Sequence, residues 1–311
     1  MMQSTEVDQL VEEIARRVRD RLARNDAPAA GAPANASRAC SDRPGSEACS
    51  SCGGCHVNRP DQVRQLVQLG AARIAAGVGH APPAADLAPY IDHTLLKADA
   101  KREELKKLCD EAKRYGFASV CVNATNVRYC ASQLQGTGVM AIAVVGFPLG
   151  AMTSSAKAFE AREAVRNGAQ EIDMVLNEGA LKGKDYATVL EDIQAVVGAS
   201  APKPVKVILE TGLLDHDQKV VACALSKTGG AAFVKTSTGF GPGGATVEDI
   251  ALMRAVVGPE MGVKASGGVR TEDDARKLIA AGATRLGASA SVAIVQGEKP
   301  KETKLRRVGG Y

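Results

Sequence analysis

The sequence predicts an α/β protein: a TIM (β/α)8 barrel preceded by an N-terminal helical, Cys-containing extension. Three observations predict it. From residue 89 onward, short β-rich runs alternate with segments of helical period. There are eight such runs at roughly regular spacing, and no Gly-x-Gly-x-x-Gly turn follows the first. Strict alternation calls for a parallel sheet, because each return to a parallel neighbour needs a crossover. Eight repeats without a dinucleotide-binding turn favour the closed barrel over the open doubly wound sheet. The 311 residues accommodate one barrel of ~250 residues with extensions.

Taken in order, residues 4–24 read as an amphipathic helix. Val7, Leu10, Val11, Ile14, Val18 and Leu22 fall three or four apart and form one apolar stripe, with Ser4 or Thr5 as N-cap. Residues 25–39 are Ala-, Pro- and Asn-rich and read as a linker. A Cys-rich stretch spans 40–56, and a second short helix fits 61–75. We therefore divide the chain into a helix at 1–24, a linker with Cys cluster and short helix at 25–88, a barrel at 89–297 and a basic tail at 298–311. The expected strands lie near 90–94, 117–123, 139–146, 170–176, 204–210, 231–237, 261–266 and 284–289. Helices are expected at 101–115, 155–167, 185–197, 216–228, 246–257 and 271–281, with Ser155, Thr246 and Thr271 as caps.

Composition narrows the function classes. Aromatic residues are 3% of the chain and there is no Trp, so aliphatic side chains must fill the core, and so few aromatics argue against a base-stacking platform. Net charge is +4, and the tail, with Lys299, Lys301, Lys304, Arg306 and Arg307 against Glu298 and Glu302, supplies +3 of it. The near-neutral remainder argues against a nucleic-acid surface. No apolar run reaches bilayer-spanning length and no secretory signal is evident, so a cytoplasmic protein without membrane partner is expected. In that compartment eight Cys do not constitute a disulfide framework.

Strand interiors of a barrel are ordinarily apolar, yet here Asp92, Asp173, Lys206, Glu210, Lys235 and Lys264 fall within the expected strands. One such charge reads as a partnered structural ion; several converging from different strands read as a site at the carboxyl ends of the strands. Lys235 and Lys264 stand on consecutive strands, about 4.8 Å apart if paired. Like-charge repulsion at ~5 Å and an effective dielectric of ~20 is roughly 3 kcal/mol, enough to depress one lysine pKa by about two units. Desolvation adds to that and yields an amine nucleophile near neutrality. The competing expectation is a lysine tied into a salt bridge with Asp173. Glycine-rich segments, Gly239–Gly244, Ser266-Gly267-Gly268 and Gly287-Ala288-Ser289, accompany the last three strands. Their backbone amides suit a phosphate, which often sits there in barrels.

The segments IDHTLLK (91–97), VCV (120–122), VVGFPLG (144–150), EIDMV (171–175), ILETGLL (208–214), FVKTSTGF (233–240), VKASGGVRT (263–271) and RLGAS (285–289) resemble the deoxyribose-phosphate aldolase family, collinearly over about 89–295. The resemblance implies reversible cleavage of 2-deoxy-D-ribose 5-phosphate to acetaldehyde and D-glyceraldehyde 3-phosphate, with no cofactor and in a homo-oligomer. It implies that Lys235 is the Schiff-base lysine, Lys264 the lysine that perturbs it, and Asp173 a carboxylate of the proton relay. It implies phosphate positions at Gly239, Gly267, Gly268, Gly287 and Ser289, and pocket positions at Asp92, Thr94 and Cys121. Ala290 stands where some members carry a second Ser, which removes one hydroxyl near the phosphate. The terminal Tyr311 matches members whose flexible tail ends in a tyrosine that assists proton transfer.

The cluster Cys49-x-x-Cys52-x-x-Cys55-His56, with Cys40 upstream, is foreign to that family. Its spacing suits zinc or an iron–sulfur cluster, and equally describes a thiol-rich linker that binds nothing. A metal-dependent aldolase is disfavoured, because the four His, at 56, 80, 93 and 216, show no ligand spacing. The remaining alternatives are another Schiff-base aldolase acting on a small phosphorylated sugar and a non-catalytic barrel scaffold. The charge-balanced helix at 4–24, set off by its linker, resembles the encapsulation peptides that dock enzymes onto shell proteins of bacterial microcompartments. Its stripe could instead pack on the barrel or between subunits.

Overall fold

The structure, a computed structural model, describes residues 87–297, and before them only Thr5, Glu6, Gln9, Glu12, Glu13, Arg16 and Asp20. The expected Cys cluster, the second short helix at 61–75 and the basic tail with Tyr311 lie outside the described residues. The eight strands are β1 (Ile91–Leu95), β2 (Ser119–Asn123), β3 (Met140–Val145), β4 (Glu171–Val175), β5 (Val205–Ile208), β6 (Phe233–Lys235), β7 (Gly262–Ser266) and β8 (Arg285–Ala288). All pair in parallel with their sequence neighbours, and β8 closes on β1 through Asp92 opposite Gly287. The expected TIM barrel is therefore present. Each expected strand exists; β1 has the expected length, shifted by one residue, and the other seven are a little shorter than their β-rich runs.

The helices are α1 (Arg102–Tyr115), α2 (Val127–Gln133), α3 (Ser154–Arg166), α4 (Glu178–Lys182), α5 (Tyr186–Ser200), α6 (His216–Thr228), α7 (Val247–Val257), α8 (Glu272–Ala280) and α9 (Ser291–Gln296). The three that periodicity did not reveal, α2, α4 and α9, span only two turns or fewer, too short for a 3.6-residue repeat to register. The cap expected at Ser155 is a correction: the helix starts one residue earlier. Thr153 is the N-cap and its hydroxyl accepts from Ala156 N at 3.3 Å. Thr246 and Thr271 cap α7 and α8 as expected, accepting from Asp249 N and Asp274 N, each at 3.0 Å.

Alternation along each strand separates two environments. One set of positions, among them Val120, Val122, Ala143, Ile172, Met174, Val207, Val234, Val263 and Leu286, joins the main aliphatic core with the helices. The alternate positions point into the barrel. There Cys121, Ile142 and Val144 form a small separate apolar cluster with Leu96 and Phe147. The rest of the lumen is ionic: Asp92, Glu171, Asp173, Lys206, Lys235, Lys264 and Arg285 are all buried. Burying that many charges is tolerable only because each finds a partner.

Candidate active site

The lumenal charges form a closed network. Asp173, midway along β4, is its centre. Its Oδ2 receives Lys235 at 2.9 Å and Lys264 at 2.7 Å, and its Oδ1 receives Lys206 at 2.9 Å. Lys206 also donates to Glu171 at 2.5 Å. Lys264 also pairs with Asp92 at 2.6 Å. Arg285 joins the two remaining carboxylates, reaching Asp92 at 2.7 Å and Glu171 through both terminal nitrogens at 3.0 and 3.1 Å. Ser119 donates to Asp92 at 2.6 Å. Register explains the meeting: Asp173 lies beside Lys206, Lys235 beside Lys264, and Lys264 beside Arg285.

The two lysines are held differently. Burial pushes the Lys235 amine below its ordinary value; Asp173 opposes that, and the neighbouring Lys264 reinforces it. Lys264 is equally buried, but contact with both Asp173 and Asp92 raises it. Asp173 is ionised: three flanking lysines outweigh its burial and hold it well below the carboxylate range. Burial raises the Cys121 thiol. The expectation that repulsion from Lys264 chiefly depresses Lys235 is corrected here. Desolvation is the larger cause, and Asp173 Oδ2, bonded to both amines, opposes the repulsion between them.

The glycine-bearing segments take separate roles. Gly239, Gly267 and Gly268 have φ of 86°, 84° and 78°, the left-handed region that favours glycine, in the turns after β6 and β7. Gly287 lies within β8 instead. A Cβ there would stand 3.1 Å from Lys264 Cε and 3.0 Å from Ser266 Cβ, so this glycine makes room for the lysine. Ser289, just beyond β8, is exposed. Thr94, at the end of β1, is half-buried and donates to Asp92 O at 2.8 Å.

Glu210 is also placed differently from the expectation. It sits past β5 at φ 53°, buried, with its carboxylate accepting the backbone N (3.1 Å) and the hydroxyl of Thr238. The Thr238 hydroxyl in turn accepts from Phe240 N and Gly241 N at 3.0 and 3.3 Å, so Glu210 shapes the turn that carries Gly239. Nearby, burial first and Glu210 second push the Glu178 carboxyl up to about 7. Sequence reasoning missed Glu171, Arg285, Ser119 and Glu178. The alternation of β4 and β8 carried the signal for the first two, since Glu171 and Arg285 stand two positions from Asp173 and Gly287 on the same strand face. Among the described residues no group of three His, Cys, Asp or Glu stands ready for a metal.

A parallel eight-stranded barrel whose lumen presents a desolvated amine beside an ionised carboxylate defines a class I aldolase. The chain belongs to the DeoC/LacD family of aldolases, whose model matches residues 87–297. It is 60% identical over 209 residues to the deoxyribose-phosphate aldolase of Streptococcus gordonii, spanning 67% of this chain and 95% of that one. It is likewise 60% identical over 215 residues to that of Clostridium novyi, spanning 69% and 97%. Among solved structures it resembles the tetrameric deoxyribose phosphate aldolase of Aeropyrum pernix, at 31% identity, TM-score 0.65, and coverage of 75% of this chain and 96% of that one.

Proposed function

We propose that the barrel cleaves 2-deoxy-D-ribose 5-phosphate reversibly to acetaldehyde and D-glyceraldehyde 3-phosphate, with Lys235 as the imine-forming amine. One observation carries the assignment of Lys235. The lumen holds four basic groups (Lys206, Lys235, Lys264, Arg285) against three carboxylates (Asp92, Glu171, Asp173). Lys206, Lys264 and Arg285 each touch two carboxylates, whereas Lys235 touches only Asp173, through an oxygen it shares with Lys264. Charge balances when Lys235 is the neutral member, and a neutral amine is what carbonyl addition needs.

The Lys235 nitrogen adds to C1 of the open-chain sugar, and loss of water gives a protonated imine. A base removes the C3 hydroxyl proton, the C2–C3 bond breaks, and its electron pair moves to the iminium as an enamine. D-Glyceraldehyde 3-phosphate departs. Proton return to C2 restores the imine, and hydrolysis releases acetaldehyde and the free amine. Asp173 and Lys264 are the relay for these protons, because the ammonium of Lys264 and the carboxylate of Asp173 form a donor–acceptor couple beside Lys235. Asp92 anchors Lys264, and Thr94 and Cys121 line the pocket. The turns with Gly239, Gly267 and Gly268, and Ser289 beyond β8, receive the phosphate through backbone amides and a hydroxyl. Borohydride reduction in the presence of substrate is expected to fix a carbon fragment on Lys235 in a peptide map. Labelling at Lys206 or Lys264 would falsify the assignment.

The regions flanking the barrel carry separate readings. Residues 4–24 act as a targeting helix for a shell protein of a bacterial microcompartment; the described positions between 5 and 20 are helical, which supports a helix, and six of the seven are exposed polar residues. Fusing residues 1–39 to a fluorescent protein and co-expressing shell proteins tests it, and diffuse fluorescence removes it. Cys40, Cys49, Cys52, Cys55 and His56 form a zinc or iron–sulfur site, and metal analysis of full-length protein purified without oxygen decides that. The barrel works as a homo-oligomer, as does the tetrameric Aeropyrum pernix relative; light scattering tests it.

A further inference from the structure

His93 lies in the IDHTLLK segment one residue after Asp92, yet it faces away from the lumen and takes no part in the chemistry above. It is 4% exposed. Its Nε2 stands 2.8 Å from Glu111 Oε2 on α1, and its Nδ1 stands 2.9 Å from the hydroxyl of Ser291, the first residue of α9. The Ser291 hydroxyl also reaches Ala288 O, the last residue of β8, at 2.9 Å. Ser291 is fully buried. The ring packs on Phe117 with centroids 5.1 Å apart. One imidazole thus ties α1 and β1 to both ends of the turn Ala288-Ser289-Ala290-Ser291.

Glu111 is an acceptor, so Nε2 carries a hydrogen. Burial lowers the ring's affinity for a second proton, and the Glu111 carboxylate and the Ala288 carbonyl oppose that without overcoming it. Nδ1 and the Ser291 hydroxyl are hydrogen-bonded to each other, and that hydroxyl donates to Ala288 O. The N-cap residue Ala290 offers no side-chain bond of its own. Ser291, turned inward, cannot replace the hydroxyl missing at Ala290, so Ser289 is the one exposed hydroxyl of the turn. Its placement depends on how the two flanking residues are held.

We propose that His93, acting through Ser291, is a positioning residue for the turn that presents Ser289 to the substrate phosphate. The proposal rests on the reading of that turn as part of the phosphate site. It predicts an effect confined to phosphorylated substrate. The test compares 2-deoxyribose 5-phosphate with unphosphorylated 2-deoxyribose in the full-length enzyme and in His93→Leu, His93→Gln and Ser291→Ala. For His93→Leu and Ser291→Ala, KM for the phosphorylated sugar is expected to rise several-fold, up to about tenfold, the reach of one or two hydrogen bonds. Their kcat on it should stay within about twofold, and kcat/KM on the unphosphorylated sugar should not move. His93→Gln, which can donate to Glu111 and keep a polar atom toward Ser291, should recover part of the loss. Ser291→Ala removes one oxygen, so it remains informative if His93→Leu fails to fold. Unmoved KM in a phosphate-selective background, or equal losses on both sugars, overturns the inference. A wild-type enzyme indifferent to the phosphate overturns the phosphate-site reading itself, and this inference with it.

Discussion

Lys235 and Lys264 share a side chain and a strand-to-strand register position, yet the lumen keeps one amine depressed and the other charged. The difference is the number of carboxylates each touches, and it makes opposite predictions for the two. Replacing Lys264 by Leu leaves three carboxylates facing Lys206, Arg285 and Lys235, so Lys235 takes up the missing charge. The pH–rate profile should move about two units toward alkali and the neutral rate should fall by about 100-fold, read from kcat/KM across pH. Breaking a buried pair also costs about 3–5 kcal/mol, which urea unfolding measures. Replacing Lys235 by Met should abolish turnover without that loss, since it removes the unmatched charge. If the Lys235→Met protein unfolds as readily as Lys264→Leu, the charge-balance argument fails.

Glu178 gives a second titration prediction at this scale. Its folded-state pKa is raised to about 7, against ~4.3 in an unfolded chain. A carboxyl raised on folding holds its proton in the native state between those values, so native stability falls as pH climbs from ~4.3 to about 7 and then levels. Glu178→Gln keeps a neutral side chain at every pH. Its melting temperature should match wild type near pH 4 and exceed it at pH 8. A constant difference across that range would show that the residue is not titrating there.

Among the elements, β8 shows how a strand adapts to the charge it faces. Gly287 is set opposite Asp92 and Ser266, and its missing side chain is the space that Lys264 occupies. Gly287→Ala should displace Lys264 from Asp173 and, with Lys264 in the proposed proton relay, cut kcat by about tenfold or more, because small misplacements of a catalytic group are costly. Unchanged kcat would return Gly287 to a purely backbone role. The turn after β6 is built on Glu210, a non-glycine at positive φ, a strain that persists only where its surroundings enforce it. The helix caps are ordinary by comparison: Thr246→Ala should cost about 1 kcal/mol in unfolding experiments and leave turnover alone.

At the scale of the whole molecule, the matched family region, the strands and every residue placed in the site lie within 87–297. A variant beginning near residue 80 should therefore keep the turnover of the full chain, measured on 2-deoxyribose 5-phosphate. Loss of turnover with the circular dichroism intact would show that the extension completes the site. Acid should act on the barrel as a unit. Asp173 and Asp92 are both held below the ordinary carboxylate value, so the stability they contribute is present above ~3.9 and is lost as pH falls below it.

Alternation of β-rich and helical runs determined the barrel from the sequence alone, because eight parallel returns admit few other closures. The polar residues interrupting those runs pointed to Lys235, Lys264 and Asp173, since a charge in an otherwise aliphatic strand needs a reason. What the sequence left undecided was partnership. Asp92 and Arg285 are 193 positions apart and Glu171 and Arg285 are 114 apart, and only closure of β8 onto β1 brings them across the same lumen. Glu171 and Arg285 sit at the fringes of their β-rich runs, where a charge reads as a solvated strand end. Glu210 read as another lumenal charge until its left-handed backbone turned it toward Thr238. Which lysine is pushed below its ordinary pKa was likewise a tertiary decision, because desolvation and the count of touching carboxylates are properties of the closed space and not of any segment.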